Sequence, residues 1–334
     1  MINVGINGFG RIGRLAARIL MHSSKARLVM INDMGKTDAL AHLLKYDTAQ
    51  GRMEADILFE NDHLIIDGKR VYVHADRDPA NIPWAEHGVE LVLECTGKFR
   101  SRENCQPHLE SGGAKKVVIS APGKGGVDAT VVMGVNDNLL KPDMTVVSCA
   151  SCTTNCLAPV AKVLNDAFGI RNGFMTTVHA YTSDQRIHDN KHSDLRRARA
   201  AAQNMVPTTT GAAAATGVVL PELNGKLHGM AVRVPIITGS LIDLVVDLNK
   251  DVSPEEINQA MQAAAEGPMK GILQYTDEPL VSSDIIGNPH SSIFDSLSTV
   301  KQGDNLMKVL AWYDNEFGYA SRLVQLAEAF GNLN

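Results

Sequence analysis

The sequence predicts an α/β protein in two parts. Residues 1–150 form a doubly wound, Rossmann-type parallel sheet as a dinucleotide-binding domain, and residues 151–316 form an α+β catalytic domain with a largely antiparallel sheet. Residues 317–334 are expected to be a C-terminal helix packing back on the first domain. Three observations predict this. Short, continuously apolar runs alternate with stretches of helical spacing in the first half, a glycine-rich turn joins the first strand to the first helix, and the second half holds longer strand candidates with few helices between them. At 334 residues the chain also exceeds what one hydrophobic core usually organises.

In the first half, residues 2–7, 28–32, 91–95, 117–120, 131–135 and 145–148 are apolar on consecutive positions, the pattern of strands covered on both faces. Between them, residues 11–22, 38–46 and 102–111 repeat at helical spacing, so the strands must run parallel with crossover helices on both faces. The second half opens with a helix over 153–168 and continues with strands over 174–182, 229–234, 241–248 and 307–313. Residues 318–330 again have helical spacing. The stretch 183–203 is long, polar and Arg-rich, and a loop of that length inside a compact domain is usually functional.

Composition narrows the function classes. A hydrophobic fraction of 44% with 21% charged residues describes a folded protein with material for a large core. Lys+Arg 32 against Asp+Glu 37 leaves a net charge of −5, without the basic excess that a phosphate-tracking surface needs, so nucleic acid is not an expected partner. No run reaches the ~18 apolar residues of a membrane span, and the first residues lack the pattern of an export signal. The five cysteines are odd in number, with Cys149, Cys152 and Cys156 crowded together, a poor disulfide framework for so long a chain. A cytoplasmic location is expected.

The turn Gly8, Phe9, Gly10, Arg11, Ile12, Gly13 follows the first strand directly and opens the first helix. Gly8 permits the tight turn, Gly10 lets the backbone approach a pyrophosphate, and Gly13 lets the helix pack on the strand, while the helix N-terminus carries partial positive charge. Asp33 ends the second strand 20 positions after Gly13, where a carboxylate accepts hydrogen bonds from ribose hydroxyls. That carboxylate favours NAD, because a 2′-phosphate would face like charge.

The second constellation is a thiol and a base. Cys152 sits where the last strand of the first half meets the helix that opens the second, and a cysteine in a first helical turn has its thiolate stabilised by unpaired N–H groups. His179, 27 positions on in an apolar strand, is the best placed of the 11 histidines to serve it. A strand histidine is more often a hydrogen-bonded core residue than a catalyst. Cys149 and Cys152 also have CxxC spacing, which admits a redox pair or, with Cys156, a metal. The adjoining Thr153, Thr154 and Asn155 start a helix and supply no fourth ligand, so no metal site is expected.

Over essentially its whole length the sequence resembles the phosphorylating glyceraldehyde-3-phosphate dehydrogenase family. The resemblance is carried by residues 7–14 (Asn-Gly-Phe-Gly-Arg-Ile-Gly-Arg), 150–159 (Ala-Ser-Cys-Thr-Thr-Asn-Cys-Leu-Ala-Pro), 179–182 (His-Ala-Tyr-Thr), 194–199 (Asp-Leu-Arg-Arg-Ala-Arg), 207–213 (Pro-Thr-Thr-Thr-Gly-Ala-Ala), 233–235 (Arg-Val-Pro) and 312–319 (Trp-Tyr-Asp-Asn-Glu-Phe-Gly-Tyr). It implies oxidation of D-glyceraldehyde 3-phosphate to 1,3-bisphosphoglycerate through a thioester, with hydride transfer to NAD. Cys152 is then the nucleophile and His179 its acid/base partner. Thr182 and Arg233 would hold the substrate's phosphate, and Ser151, Thr210 and Gly211, with Arg197 nearby, the incoming inorganic phosphate. Thr153 would line the same pocket. Arg11, Ile12, Asp33, Arg77, Ser120, Asn315 and Tyr319 would contact the dinucleotide beside the glycines. The 183–203 loop resembles one that reaches a neighbouring subunit, which implies a homotetramer.

Departures from the family pattern concern detail. Cys149 stands where Asn is usual, which suggests an oxidation-sensitive pairing with Cys152. Asn190 and Lys191 replace the Leu and Pro of strictly NAD-dependent members, and Lys36 follows Asp33 closely, so NADP is a second expected cofactor. The alternative activity is that of an erythrose-4-phosphate dehydrogenase, which transfers the acyl group to water.

Overall fold

The computed structural model describes residues 1–333 and divides into two compact units. The first comprises Met1–Val131, Asp137–Ala150 and the segment from Ala320 onward; the second comprises Val132–Asn136 and Ser151–Tyr319.

A nine-stranded sheet forms the first unit. Its central strands, Ile2–Asn7, Ala26–Asn32, Leu91–Glu94, Lys116–Ile119 and Val146–Ser148, all run parallel, and helices Arg11–Leu20, Thr37–Lys45 and Arg102–Glu110 connect them. Val4, Ile6, Val92, Leu93, Val117 and Val118 are completely buried, the consequence of burial on both faces of a parallel sheet. One edge differs from expectation. Strand Lys69–His74 pairs parallel with Ala26–Asn32, and His63–Ile66 and Ile57–Glu60 then continue the sheet antiparallel, in segments too short to stand out beside the central strands.

The predicted strand 131–135 does not form. Only Ala129–Thr130 pairs, and the chain then turns, with Gly134 at a φ of 78° and the Asn136 carboxamide accepting from the Val132 N–H. Val131, Val132 and Met133 are buried in a turn, and Val132–Asn136 groups with the second unit.

The last helix, Phe317–Gly331, joins the first unit from Ala320. Leu323, Leu326 and Phe330 are buried there, each contributing about 1.5–3 kcal/mol of transfer free energy. Lys116 caps the helix: its ammonium donates to the carbonyls of Phe330 (2.8 Å) and Leu333 (3.1 Å).

The second unit is a seven-stranded sheet in the order Val206–Thr209, Leu227–Val234, Ile170–Ala180, Ser240–Leu248, Leu306–Tyr313, Ser292–Gln302 and Leu273–Thr276. Four neighbouring pairs are antiparallel and two parallel. Helix Cys152–Phe168 is buried on nearly every side between Thr153 and Leu164, as an all-round apolar sequence requires. Two helices were not foreseen: Ala212–Val219, whose Ala-rich sequence has no polar face to mark a period, and Pro254–Glu266, started by a Ser253–Glu256 capping box.

Candidate active site

In the first unit the three motif glycines occupy three different environments. Gly8 has a φ of 91°, and a Cβ there would lie 2.8 Å from the Thr96 nitrogen. A Cβ on Gly13 would lie 2.2 Å from the Gly8 carbonyl oxygen, so helix and turn touch through bare backbone. A Cβ on Gly10 would meet nothing within 4 Å, leaving the backbone at the helix start open to a ligand. Gly8, Gly10, Asp33 and Arg77 line one cavity of about 310 Å³, together with Asn7, Thr96 and others. The Asp33 carboxylate is fixed at its rim, accepting from the Phe9 N–H (2.7 Å) and the Gly35 N–H (2.8 Å). These features fit a dinucleotide.

The other predicted cofactor residues do not line this cavity. Ile12 lies in the first helical turn, and the Arg11 guanidinium pairs with Asp47 at 2.5 Å. Burial alone would push Asp47 up; the Arg11 guanidinium and the N–H groups of Gln50 and Ala49 hold it below the ordinary carboxylate value. Ser120 follows strand Lys116–Ile119, its N–H donating to the Glu94 carbonyl at 3.0 Å. Asn315 and Tyr319 belong to the second unit.

Sequence reasoning did not find the buried polar frame behind the cavity. Glu94, 1% exposed, accepts from the Asn7 carboxamide (2.6 Å) and the Thr96 N–H (2.8 Å), and Asn32 donates to Asn7 (2.7 Å). A carboxylate ending a strand was the available signal.

In the second unit, Cys152 opens helix Cys152–Phe168 and Ser151 caps it, its Oγ accepting from the Thr154 N–H at 3.0 Å. Ala150, just before, has a φ of 55° and is completely buried, an arrangement costing about 1 kcal/mol or more for a residue with a Cβ. His179 ends strand Ile170–Ala180, directly across from Arg233 on the parallel strand Leu227–Val234. That register brings the distant residues together. Cys152 Sγ lies 3.4 Å from His179 Nε2, and Arg233 Nη1 lies 2.8 Å from His179 Nδ1.

Ala180 O is 2.7 Å from His179 Nδ1 and accepts from Arg233 Nη1 at 3.1 Å. Nδ1 thus faces a carbonyl acceptor and a guanidinium donor at once, and which of the two it pairs with decides whether Nε2 meets the sulfur as acceptor or as donor. Burial and then the Arg233 guanidinium push His179 down to about 3, so the imidazole is neutral at neutral pH. Burial pushes the Cys152 thiol up; Arg233, the Thr153 hydroxyl and the N–H groups of Thr153 and Cys152 pull the other way without cancelling it. Desolvation of both groups favours thiol and neutral base in the free site.

The remaining predicted residues divide into those near this pair and those on the loop. Thr153 Oγ1 is 2.9 Å from the Tyr313 phenol. Arg197 donates to Asp184 (2.6 Å), the Thr208 hydroxyl (2.9 Å) and the Thr209 carbonyl (3.1 Å). Thr210 and Gly211 precede helix Ala212–Val219, with Gly211 as its N-cap residue. Thr182 lies just beyond strand Ile170–Ala180, and its carbonyl accepts from the Gln185 N–H. Asn315 is held by Ser240, whose hydroxyl donates to Asn315 Oδ1 at 2.7 Å and leaves the amide N–H₂ as donor. Ser240, Tyr313, Thr177, Asp184 and Thr208 were missed, because single hydroxyls and acids along a strand or loop have no distinctive spacing. Cys149 is completely buried in the first unit, and no His/Cys/Asp/Glu cluster suited to a metal occurs among the described residues.

Comparison with known proteins shows the family. Residues 2–102 match the family model of the NAD-binding domain of glyceraldehyde 3-phosphate dehydrogenase, and residues 151–315 match that of its C-terminal domain. The chain is 55% identical over 328 residues to glyceraldehyde-3-phosphate dehydrogenase 1 of Bacillus cereus, covering 98% of each chain. It is 54% identical over 327 residues to the enzyme of Geobacillus stearothermophilus, covering 98% of this chain and 97% of the other. With the enzyme of Streptomyces coelicolor it shares 54% over 334 residues and 99% of each chain. The chain belongs to the glyceraldehyde-3-phosphate dehydrogenase family.

Proposed function

We propose that this chain oxidises D-glyceraldehyde 3-phosphate to 1,3-bisphosphoglycerate in glycolysis or gluconeogenesis, using NAD and inorganic phosphate. The observation that carries the reading is Cys152 Sγ at 3.4 Å from His179 Nε2. Cys152 attacks the aldehyde carbon while His179 takes the thiol proton and passes it to the carbonyl oxygen, which becomes the hydroxyl of a hemithioacetal. NAD, when bound, supplies the hydride acceptor. His179 takes the hydroxyl proton as the hydride departs, leaving a thioester on Cys152. Phosphate attack on its carbonyl carbon releases the acyl phosphate and returns the thiol.

Two anions must be bound, and two cationic groups are present for them. Arg233 with Thr182 takes the phosphate of the substrate; Arg197 with Ser151, Thr210 and Gly211 takes inorganic phosphate. A phosphate on Arg233 offsets the guanidinium that depresses His179, which raises that base toward a useful range as substrate binds. Gly8, Gly10, Gly13, Arg11 and Ile12 hold the pyrophosphate, Asp33 the ribose, and Arg77, Ser120, Asn315 and Tyr319 the remaining parts of the dinucleotide.

NAD reduction by glyceraldehyde 3-phosphate, measured with phosphate present and then omitted, tests the reaction. Turnover should require phosphate. Undiminished turnover without it, with erythrose 4-phosphate as the better substrate, would establish the other activity, which the family match does not favour.

The assembly is read as a homotetramer. Phe174, 53% exposed, and Met230, 37% exposed, lie on adjacent strands of the second sheet, and Ile187 and Leu195 of the 183–203 loop are above 80% exposed, all awaiting cover. Light scattering at about 36 kDa would refute it. Cytoplasmic residence agrees with five free cysteines, and no helix among the described residues is long and apolar enough to cross a membrane.

A further inference from the structure

If Cys152 is the nucleophile, the buried hydroxyls beside it have no assigned task. Tyr313 and Thr177 are each 1% exposed. The Tyr313 phenol lies 2.9 Å from Thr153 Oγ1 and 2.9 Å from Thr177 Oγ1, and Thr177 Oγ1 donates to the Leu241 carbonyl at 3.0 Å. The three come from different elements: helix Cys152–Phe168, strand Ile170–Ala180 and strand Leu306–Tyr313.

Each hydroxyl owns one hydrogen, so the bond to Leu241 fixes the direction of the rest. Thr177 has spent its hydrogen and accepts from Tyr313, whose oxygen then accepts from Thr153. In this polarity the Thr153 hydrogen is turned toward Tyr313, away from its helix neighbour Cys152. The reverse polarity is also nearly complete. Thr177 donates to Tyr313, Tyr313 to Thr153, and Thr153 to the sulfur, at the loss of the Leu241 bond alone. Exchanging a neutral bond for one to an anion is favourable, because charge-assisted hydrogen bonds are about twice as strong and a buried chain polarises along its length.

We propose that Thr153, Tyr313 and Thr177 form a reversible hydroxyl chain that turns over when the Cys152 sulfur becomes anionic and so delivers a hydrogen-bond donor to it, with Tyr313 and Thr177 as positioning residues acting through Thr153. The proposal rests on the reading of Cys152 as nucleophile. The charged and titratable groups facing the sulfur are His179 at 3.4 Å from the same strand as Thr177, Arg233 from the neighbouring strand, Cys156 one turn along the helix, and Tyr313 itself. Arg233 and the Thr153 hydroxyl both favour the thiolate. The Tyr313 ring also meets the His179 ring edge-on at 5.9 Å, so the chain and the base share one wall.

The test is the pH dependence of Cys152 alkylation by iodoacetamide in the full-length protein, followed by mass analysis of the Cys152 peptide alongside loss of turnover. Y313F and T177V remove a link at nearly constant volume. Each should move the alkylation midpoint up by about one pH unit, making alkylation roughly tenfold slower below both midpoints, with NAD affinity unchanged. T177S restores the hydroxyl and should restore the wild-type midpoint. Wild-type midpoints in both Y313F and T177V, or a T177S midpoint displaced as far as that of T177V, would overturn the chain; if Y313F fails to fold, T177V with T177S decides alone. Wild-type protein that keeps its turnover when Cys152 is fully alkylated would sink the nucleophile assignment instead, and the chain with it.

Discussion

The cavity of the first unit and the thiol–imidazole pair of the second are built by opposite means. The first is walled by turn backbone: Gly8, Gly10 and Gly13 offer bare main chain, and the Asp33 carboxylate is held by two N–H groups from residues 9 and 35. The second is made of side chains drawn from residues 152, 179, 233 and 313, aligned by a sheet register that sets His179 beside Arg233. A backbone site is encoded in a few neighbouring residues and fails when a Cβ intrudes. A side-chain site is encoded in register and burial, and fails when one functional group is lost.

The largest expected effect falls on the second site alone. C152S should reduce turnover by about 10⁴-fold or more while NAD affinity, measured by titration, stays near wild type. A comparable loss of NAD affinity would erase the separation of the two sites. H179N should cost about 10²–10⁴-fold, because positioning and anion binding survive the loss of the base.

Substitution at the backbone site should invert that pattern. G13A puts a methyl 2.2 Å from the Gly8 oxygen, so we expect about 1–3 kcal/mol of destabilisation and weakened NAD binding, read by thermal melting and cofactor titration. Iodoacetamide should still alkylate Cys152 of the folded fraction at the wild-type rate.

Acid titration sharpens the contrast. His179 is neutral and buried in the folded state, with its proton affinity lowered from 6.5 to about 3, so below pH 6.5 the unfolded chain binds the extra proton. Stability then falls as pH drops from about 6.5 toward 3, by up to ~1.4 kcal/mol per unit from this group. Denaturant unfolding of H179N across that range should show a correspondingly shallower slope, and an unchanged slope would remove His179 as the source.

The smallest effect concerns cofactor choice. Asp33 opposes a 2′-phosphate, while the exposed Lys36 three residues on offers a cation to offset it, so kcat/KM should favour NAD over NADP by a modest factor. D33S should narrow that ratio by about tenfold without altering the alkylation rate of Cys152.

The readable and unreadable parts of the sequence follow the same division. Strand, glycine turn, helix and terminal acid occur in order within residues 2–33, so the glycine turn and its acid were legible, down to separate environments for three glycines, while the Asn7–Asn32–Glu94 frame behind them was not. Cys152 and His179 were recognisable as types, and their meeting was not. The strand at 131–135 failed because burial and apolarity do not distinguish a strand from a turn that a glycine and an Asn136 cap permit.

Local steric and hydrogen-bonding rules, acting over a few residues, were enough to set the fold class, the main helices and the backbone anion cradle. The protonation of the thiol and imidazole, the clasp of Ser240 on Asn315 and the hydroxyl chain beneath Cys152 required the folded chain. Each depends on desolvation and on distances between residues scores of positions apart, quantities that exist once strands have paired and water has left.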